Sequence, residues 1–242
     1  MKNALLTLAL AAATLAAAAQ SRPVALATTT VKASAAAAAP AAAPDAYTSM
    51  MVATIAEQDA AKTPAERQAV LAKLERAAAA APNAWEPRYY QARGLMQLGF
   101  TADGSDAQDK LFDQAQTALD QARKQPQADQ AELNVLQAYI YQGRIMVAPM
   151  TRGMVYGGRV AEALGAAKAL GPDNPRVYLL LGNNLFYTPA MFGGGADKAK
   201  PMYEKAKALF ATFKPANALS PNWGARTNEA MLAKVSGASS SN

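Results

Sequence analysis

Residues 174–206 read NPRVYLLLGNNLFYTPAMFGGGADKAKPMYEKA, and this stretch decides how the chain folds. Tyr178, Leu181, Gly182 and Leu185 recur at steps of three and four, so they share one face of a helix. Ala199, Tyr203 and Ala206 do the same after the turn Gly193-Gly194-Gly195. A small residue at Gly182 lets two helix backbones approach closely, and the ring of Tyr203 is placed to fill the space beside it. The three glycines read as a turn that needs positive φ. They resemble the Tyr156-Gly157-Gly158 run ahead of an earlier helix.

The same two-helix unit recurs upstream. The second-helix pattern appears at Val70-Leu74-Ala77, Ala115-Leu119-Ala122, Val160-Leu164-Ala167 and Ala199-Tyr203-Ala206, with starts 45, 45 and 39 residues apart. The small residue of the first helix recurs at Gly94, Ala138 and Gly182, spaced by 44 and 44. Pro82, Pro126 and Pro172 end the units. Helix starts are expected at Thr63-Pro64-Ala65-Glu66, where Thr caps, Pro fits the first position and Glu completes a capping box, and also at Asn83 to Glu86 and at Ser105 with Gln108. Asp45 to Ala60 carries a further stripe at Tyr47, Met50, Met51, Thr54 and Ile55.

The strings Y-x2-L-G-x2-L and A-x3-Y-x2-A in 174–206 resemble the tetratricopeptide repeat pattern W-x2-L-G-x2-Y followed by A-x3-F. The resemblance runs from about Tyr47 to Lys214 and is loosest in the first copy. It implies an all-α fold, an α-solenoid of three to four helix-pair repeats. A last segment, Asn222 to Val235 with Trp223, Met231, Leu232 and Val235, is expected to cap its end. The spacing exceeds the usual period of about 34 for such repeats, and the excess is assigned to the turns, above all Gly143 to Gly158 and Thr188 to Gly195. Other helix-pair repeats share enough of the pattern to stay open.

Four segments are expected. Residues 1–19, with Lys2, an uncharged run from Ala4 to Ala19 and small residues before Gln20, read as a signal peptide. Residues 20–44 are rich in Ala, Thr and Pro and read as a flexible tether. Residues 45–235 form the helical repeat domain, and 236–242 a disordered tail. The leader places the protein outside the cytoplasm, periplasmic or secreted, and its run is too short and Ala-rich for stable membrane insertion.

The 242-residue chain has no cysteine and no histidine, and a net charge of +6. Stability must therefore come from packing without disulfides. Ser-His and Cys-His nucleophile pairs, His/Cys zinc sites and imidazole bases are excluded. No carboxylate pair sits in an apolar setting, so no enzyme, catalytic residue or cofactor is assigned. The lysines around 198–214 read as a solvated helix face rather than a nucleic-acid footprint. Three weaker motifs have bland explanations. Gly193 to Gly195 with Lys198 lacks the spacing of a phosphate loop. Met146, Met150 and Met154, spaced by four, have the donors for Cu(I), but Pro149 and Gly153 are expected to interrupt any helix there, which favours an apolar loop. Asp103, Asp106 and Asp109 do not follow a calcium loop, and no metal site is assigned.

The repeat family commonly binds partners in a groove lined by the first helix of each unit. By position that resemblance implies a groove of Arg88, Gln91, Leu95, Glu132, Val135, Tyr139, Gln142, Arg176, Leu179, Asn183, Phe186 and Tyr187, with Arg88, Arg176 and Asn183 able to hold a carboxylate jointly. The leading expectation is a non-enzymatic interaction or assembly scaffold with a protein or peptide partner. The alternative is a solute-binding helical protein, transport-associated, whose segments Gly143 to Gly158 and Thr188 to Gly195 close a pocket lined by Tyr139, Phe186 and Tyr187 over a small organic ligand.

Overall fold

The computed structural model describes residues 45–239, so the expected leader and tether lie outside the described residues. The fold is all-α. In chain order the helices of the described residues are α1 (Ala46–Ala60), α2 (Pro64–Ala80), α3 (Glu86–Gly99), α4 (Ser105–Arg123), α5 (Gln130–Val147), α6 (Pro149–Leu170), α7 (Pro175–Tyr187), α8 (Ala196–Thr212) and α9 (Ala225–Ser239), with a 3-10 turn at Ala190–Phe192. Neighbours in sequence pack as pairs, α3 on α4, α5 on α6 and α7 on α8.

Local chemistry sets most of the helix starts. Thr63 and Glu66 form the expected capping box on α2, with Pro64 in the first turn. The Asp45 carboxylate accepts from the Thr48 N–H at 2.8 Å, and that of Asp129 from Ala131 and Glu132; each satisfies donors that the first helical turn leaves unpaired. Two expected caps are absent. Trp85 and Gly104 occupy the cap positions of α3 and α4 without a side-chain bond, and Ser105 is already helical. Gly104 instead supplies a φ of 83°, a backbone state that other residues reach only with strain.

All twelve residues of the recurring second-helix pattern are buried. They divide between two apolar clusters that meet at α5, whose Leu133, Leu136 and Ile140 join the first and whose Val135 and Ala138 join the second. Gly182 does what its position predicts, since a Cβ there would lie 2.5 Å from the Tyr203 ring. Gly94 is also a close-contact glycine, but Gln58 of α1 and Leu71 of α2 fill its space.

The spacing between repeats has a different origin from the one expected. Gly143 to Gly158 is not a loop: α5 continues to Val147, only Ala148 intervenes, and α6 starts at Pro149 and runs for 22 residues. Proline is tolerated there because the first turn needs no N–H from it. The extra length therefore lies in the helices, and Gly157 and Gly158 are helical rather than a turn. The segment 188–195 is a true connection, and Gly193 and Gly195 adopt φ of 84° and 110° as a turn requires. A Cβ on Gly194 would run into the backbone of Thr188 and Leu185.

Past α8 the chain turns back. Residues 213–224 cross the faces of α3, α5 and α7: Leu219 joins the first cluster, its carbonyl accepts from Tyr90 Oη at 3.0 Å, and Trp223 stacks on Tyr139 at 5.8 Å. Gly224, at φ 109°, then redirects the chain into α9, which packs on α8. The helix starts three residues later than the pattern implied and continues through Ser239, past the expected start of the tail at 236.

Candidate functional site

The groove expected along the first helices does not exist as one surface. Arg176 is fully buried, and its Nε donates to both Glu132 oxygens at 3.0 and 3.1 Å. Asn174 Nδ2 donates to the same carboxylate at 2.6 Å, Tyr89 Oη donates to it at 3.3 Å, and Trp223 Nε1 donates to Tyr89 Oη at 2.8 Å. A guanidinium taken out of water needs this full complement of partners, so Arg176 is a structural pin between α5 and α7. Glu132, Val135 and Leu179 are buried with it. The joint carboxylate clamp of Arg88, Arg176 and Asn183 is thereby overturned, because burial removes Arg176 and residues 213–224 cover the face.

The remaining expected residues fall into two places. Arg88, Gln91 and Leu95 line an open, polar depression between α2, α3 and α4, where Arg88 Nη1 donates to Gln91 at 2.7 Å. Tyr139, Gln142, Asn183 and Tyr187 line a different cavity of about 750 Å³. Phe186 lies behind Tyr187, edge to face at 5.0 Å. This second cavity matches the alternative expectation in location and in two of its three expected lining residues, Tyr139 and Tyr187, with Phe186 set behind the wall and a helix where a loop was expected.

Its walls come from five elements. Phe100 follows α3, and Tyr139, Gln142, Ile145 and Met146 descend the last turns of α5. Pro149, Met150, Gly153, Met154 and Gly157 belong to the first half of α6. Asn183, Asn184, Tyr187, Thr188, Pro189 and Phe192 come from α7 and the turn after it, and Thr227 and Met231 from α9. Not one of these side chains is charged. Met150 is 88% exposed, Met154 90%, Phe192 73% and Tyr187 60%, and Met191 beside them is 83% exposed. Large apolar side chains are ordinarily placed singly at a surface, so a set of them around one cavity marks a place where something apolar is held.

The glycines of α6 add a second property. Gly153 and Gly157 are one helical turn apart on the cavity wall, and a Cβ on either would meet nothing within 4 Å. Their interior positions weaken the helix by about 1 kcal/mol each relative to alanine. They leave a flat strip of backbone beside the row of projecting Met150 and Met154. The shape suits a ligand that is itself flat.

Two ion pairs tie the cavity walls to α4, one from α6 and one from α5. Arg152 forms a two-point contact with Asp109 of α4, its Nη2 at 2.7 Å from Oδ2, and Arg144 reaches Asp113 at 2.7 Å. The Arg152 bonds hold the Asp109 carboxyl below its ordinary value, so it stays ionised. This accounts for Asp109 without a cation. Burial pushes the Tyr139 phenol up, which keeps it neutral at the back of the cavity. Asn183 accepts from Tyr203 Oη at 2.9 Å and Gln142 donates to the Leu180 carbonyl at 2.8 Å, so both side chains are oriented by neighbours. Among the described residues no three His, Cys, Asp or Glu side chains gather to hold a metal ion. None of the described helices is long and apolar enough to cross a membrane.

Sequence reasoning found Tyr139, Gln142, Asn183 and Tyr187 but missed Phe100, Ile145, Asn184, Thr227 and Met231. It took Met146, Met150 and Met154 for an apolar loop, because it broke the helix at Pro149. A signal was present: Met150 and Met154, like Gly153 and Gly157, keep a four-residue step, which becomes a face of α6 once Pro149 is read as a first-turn residue.

No family model matches the chain, and no curated protein does. Among solved structures, the HusA haemophore from Porphyromonas gingivalis superposes with a TM-score of 0.71 at 31% sequence identity, the match covering 79% of this chain and 94% of that one.

Proposed function

The chain belongs to the family of the HusA haemophore, and from that premise we propose that it is an exported, non-enzymatic carrier that seats haem or a closely similar porphyrin in the cavity between α5, α6, α7 and α9. The observation that carries this reading is the cavity itself: about 750 Å³ and lined without a single charge. One wall presents a flat glycine strip alongside two nearly fully exposed methionines. Pockets for small molecules generally span roughly 300–1,000 Å³ and are mainly apolar, and a planar macrocycle suits a slot floored by helix backbone.

The chain contains neither histidine nor cysteine, so the imidazole and thiolate ligands common in haem proteins are closed to it. Retention then rests on apolar surface and aromatic contact, with methionine thioethers as the soft donors at the wall. We read the helix pairs as divergent units of the tetratricopeptide type. The leader at 1–19 supports export, where a carrier of this kind would meet its cargo. A peptide scaffold is the weaker reading, because the face it would use is covered by residues 213–224.

Titration with haem and with metal-free protoporphyrin IX tests the proposal, followed by the porphyrin absorbance band and by quenching of Trp223, which stacks on the pocket residue Tyr139. Both ligands should bind with one-to-one stoichiometry and similar affinity. The double substitution Met150→Gln with Met154→Gln should weaken both by about tenfold or more, since roughly 1.4 kcal/mol per tenfold is well within the burial energy of two methionines. Failure of both porphyrins to bind the unsubstituted protein would sink the assignment.

A further inference from the structure

Resting on that reading, we propose that Lys234 is the residue that recognises an anionic edge of the ligand, so that the site selects an amphiphile with a carboxylate rather than any flat apolar molecule. The cavity lining carries no charge, so a ligand carboxylate has no partner within it and must emerge at a rim. Lys234 stands at such a rim. It lies seven residues after Thr227 and three after Met231, both lining residues, which places it on their face of α9. Its ammonium sits 5.7 Å from the ring centre of Tyr187, a third lining residue, and 4.9 Å from that of Phe186.

Four arginines on neighbouring elements are already paired with carboxylates. Arg152 is paired with Asp109, Arg144 with Asp113, Arg93 with Asp59 and Arg176 with Glu132. Among the described residues no carboxylate lies within ion-pair distance of Lys234. Two aromatic faces hold its ammonium in place and leave its charge uncompensated. The side chain is exposed, so positioning it before the ligand arrives removes part of the entropy that a free lysine would lose on binding. An apolar ring placed against Met231 and Tyr187 brings a short carboxylated arm toward that ammonium.

The test compares protoporphyrin IX with its dimethyl ester, which keeps the ring and removes both negative charges, on the full chain and on Lys234→Ala, Lys234→Arg and, as a control, Lys73→Ala. Lys73 lies on α2 and is paired with Glu57. The unsubstituted protein and the control should bind the free acid about fivefold more tightly than the ester, a preference that shrinks in high salt. Lys234→Ala should abolish the preference by weakening the acid alone, and Lys234→Arg should keep it. Equal weakening of acid and ester in Lys234→Ala would make Lys234 a packing residue and overturn the proposal. So would an unsubstituted protein that binds both forms equally well, a result that leaves the porphyrin pocket intact. Binding of neither form would bring down the pocket reading and Lys234 with it.

Discussion

Gly182 on α7 and Gly153 on α6 are both helix-interior glycines, and they are there for opposite reasons. At Gly182 the missing side chain is replaced by protein, with the Tyr203 ring 2.5 Å from where a Cβ would stand. At Gly153 and Gly157 nothing of the protein comes within 4 Å of that position. A glycine costs each helix about 1 kcal/mol against alanine. In one region that cost is offset by close helix packing. In the other no contact within the protein offsets it, and the space faces the apolar cavity. The body of the molecule is organised to exclude water, whereas the first half of α6 is shaped to meet something else.

The sharpest way to break this contrast is on the packed side. Glu132→Ala leaves the fully buried Arg176 without its carboxylate, and loss of one partner from a buried pair typically costs about 3–5 kcal/mol. Urea unfolding should show that loss, and a change below about 1 kcal/mol would mean that water reaches Arg176. Smaller, and more diagnostic, is a matched pair of glycine substitutions. Gly182→Ala should lower stability by about 1–3 kcal/mol through overpacking against Tyr203. The double change Gly153→Ala, Gly157→Ala should leave stability unchanged or raise it, by up to about 1 kcal/mol per site, while weakening porphyrin binding. If the α6 alanines bind porphyrin normally, the flat strip has no part in the site.

The smallest effect concerns the anchor of that wall. Arg152 holds the Asp109 carboxyl below its ordinary value of 3.8, so the pair's contribution is complete above that value and is lost as pH falls through the lower folded one. Arg152→Ala should remove this acid-side dependence and lower stability by no more than about 1 kcal/mol. An unchanged acid unfolding profile would show that the pair does not fasten α6 to α4.

Much of the body was legible because its signals are local. Three- and four-residue steps of buried residues, the Thr63 capping box and the Gly193 to Gly195 turn each depend on near neighbours in the chain. Reading Pro149 as a break was a local error with a non-local consequence, since it turned the methionine face of α6 into a loop. Arg176 was misplaced for another reason. A first-helix position tells where a side chain sits along a repeat, but not that residues 213–224 fold back over it and that Glu132, 44 positions earlier, neutralises it.

The sequence by itself determined the helical class, the pairing of helices, the buried positions of each second helix and the absence of imidazole and thiolate chemistry, since composition and short-range periodicity suffice for these. Only the tertiary structure decided which polar residues are buried and which face a ligand. Methionines of α6, Tyr139 of α5, Tyr187 of α7 and Met231 of α9 share no spacing in the chain, and they become one uncharged pocket because helix packing brings their faces together.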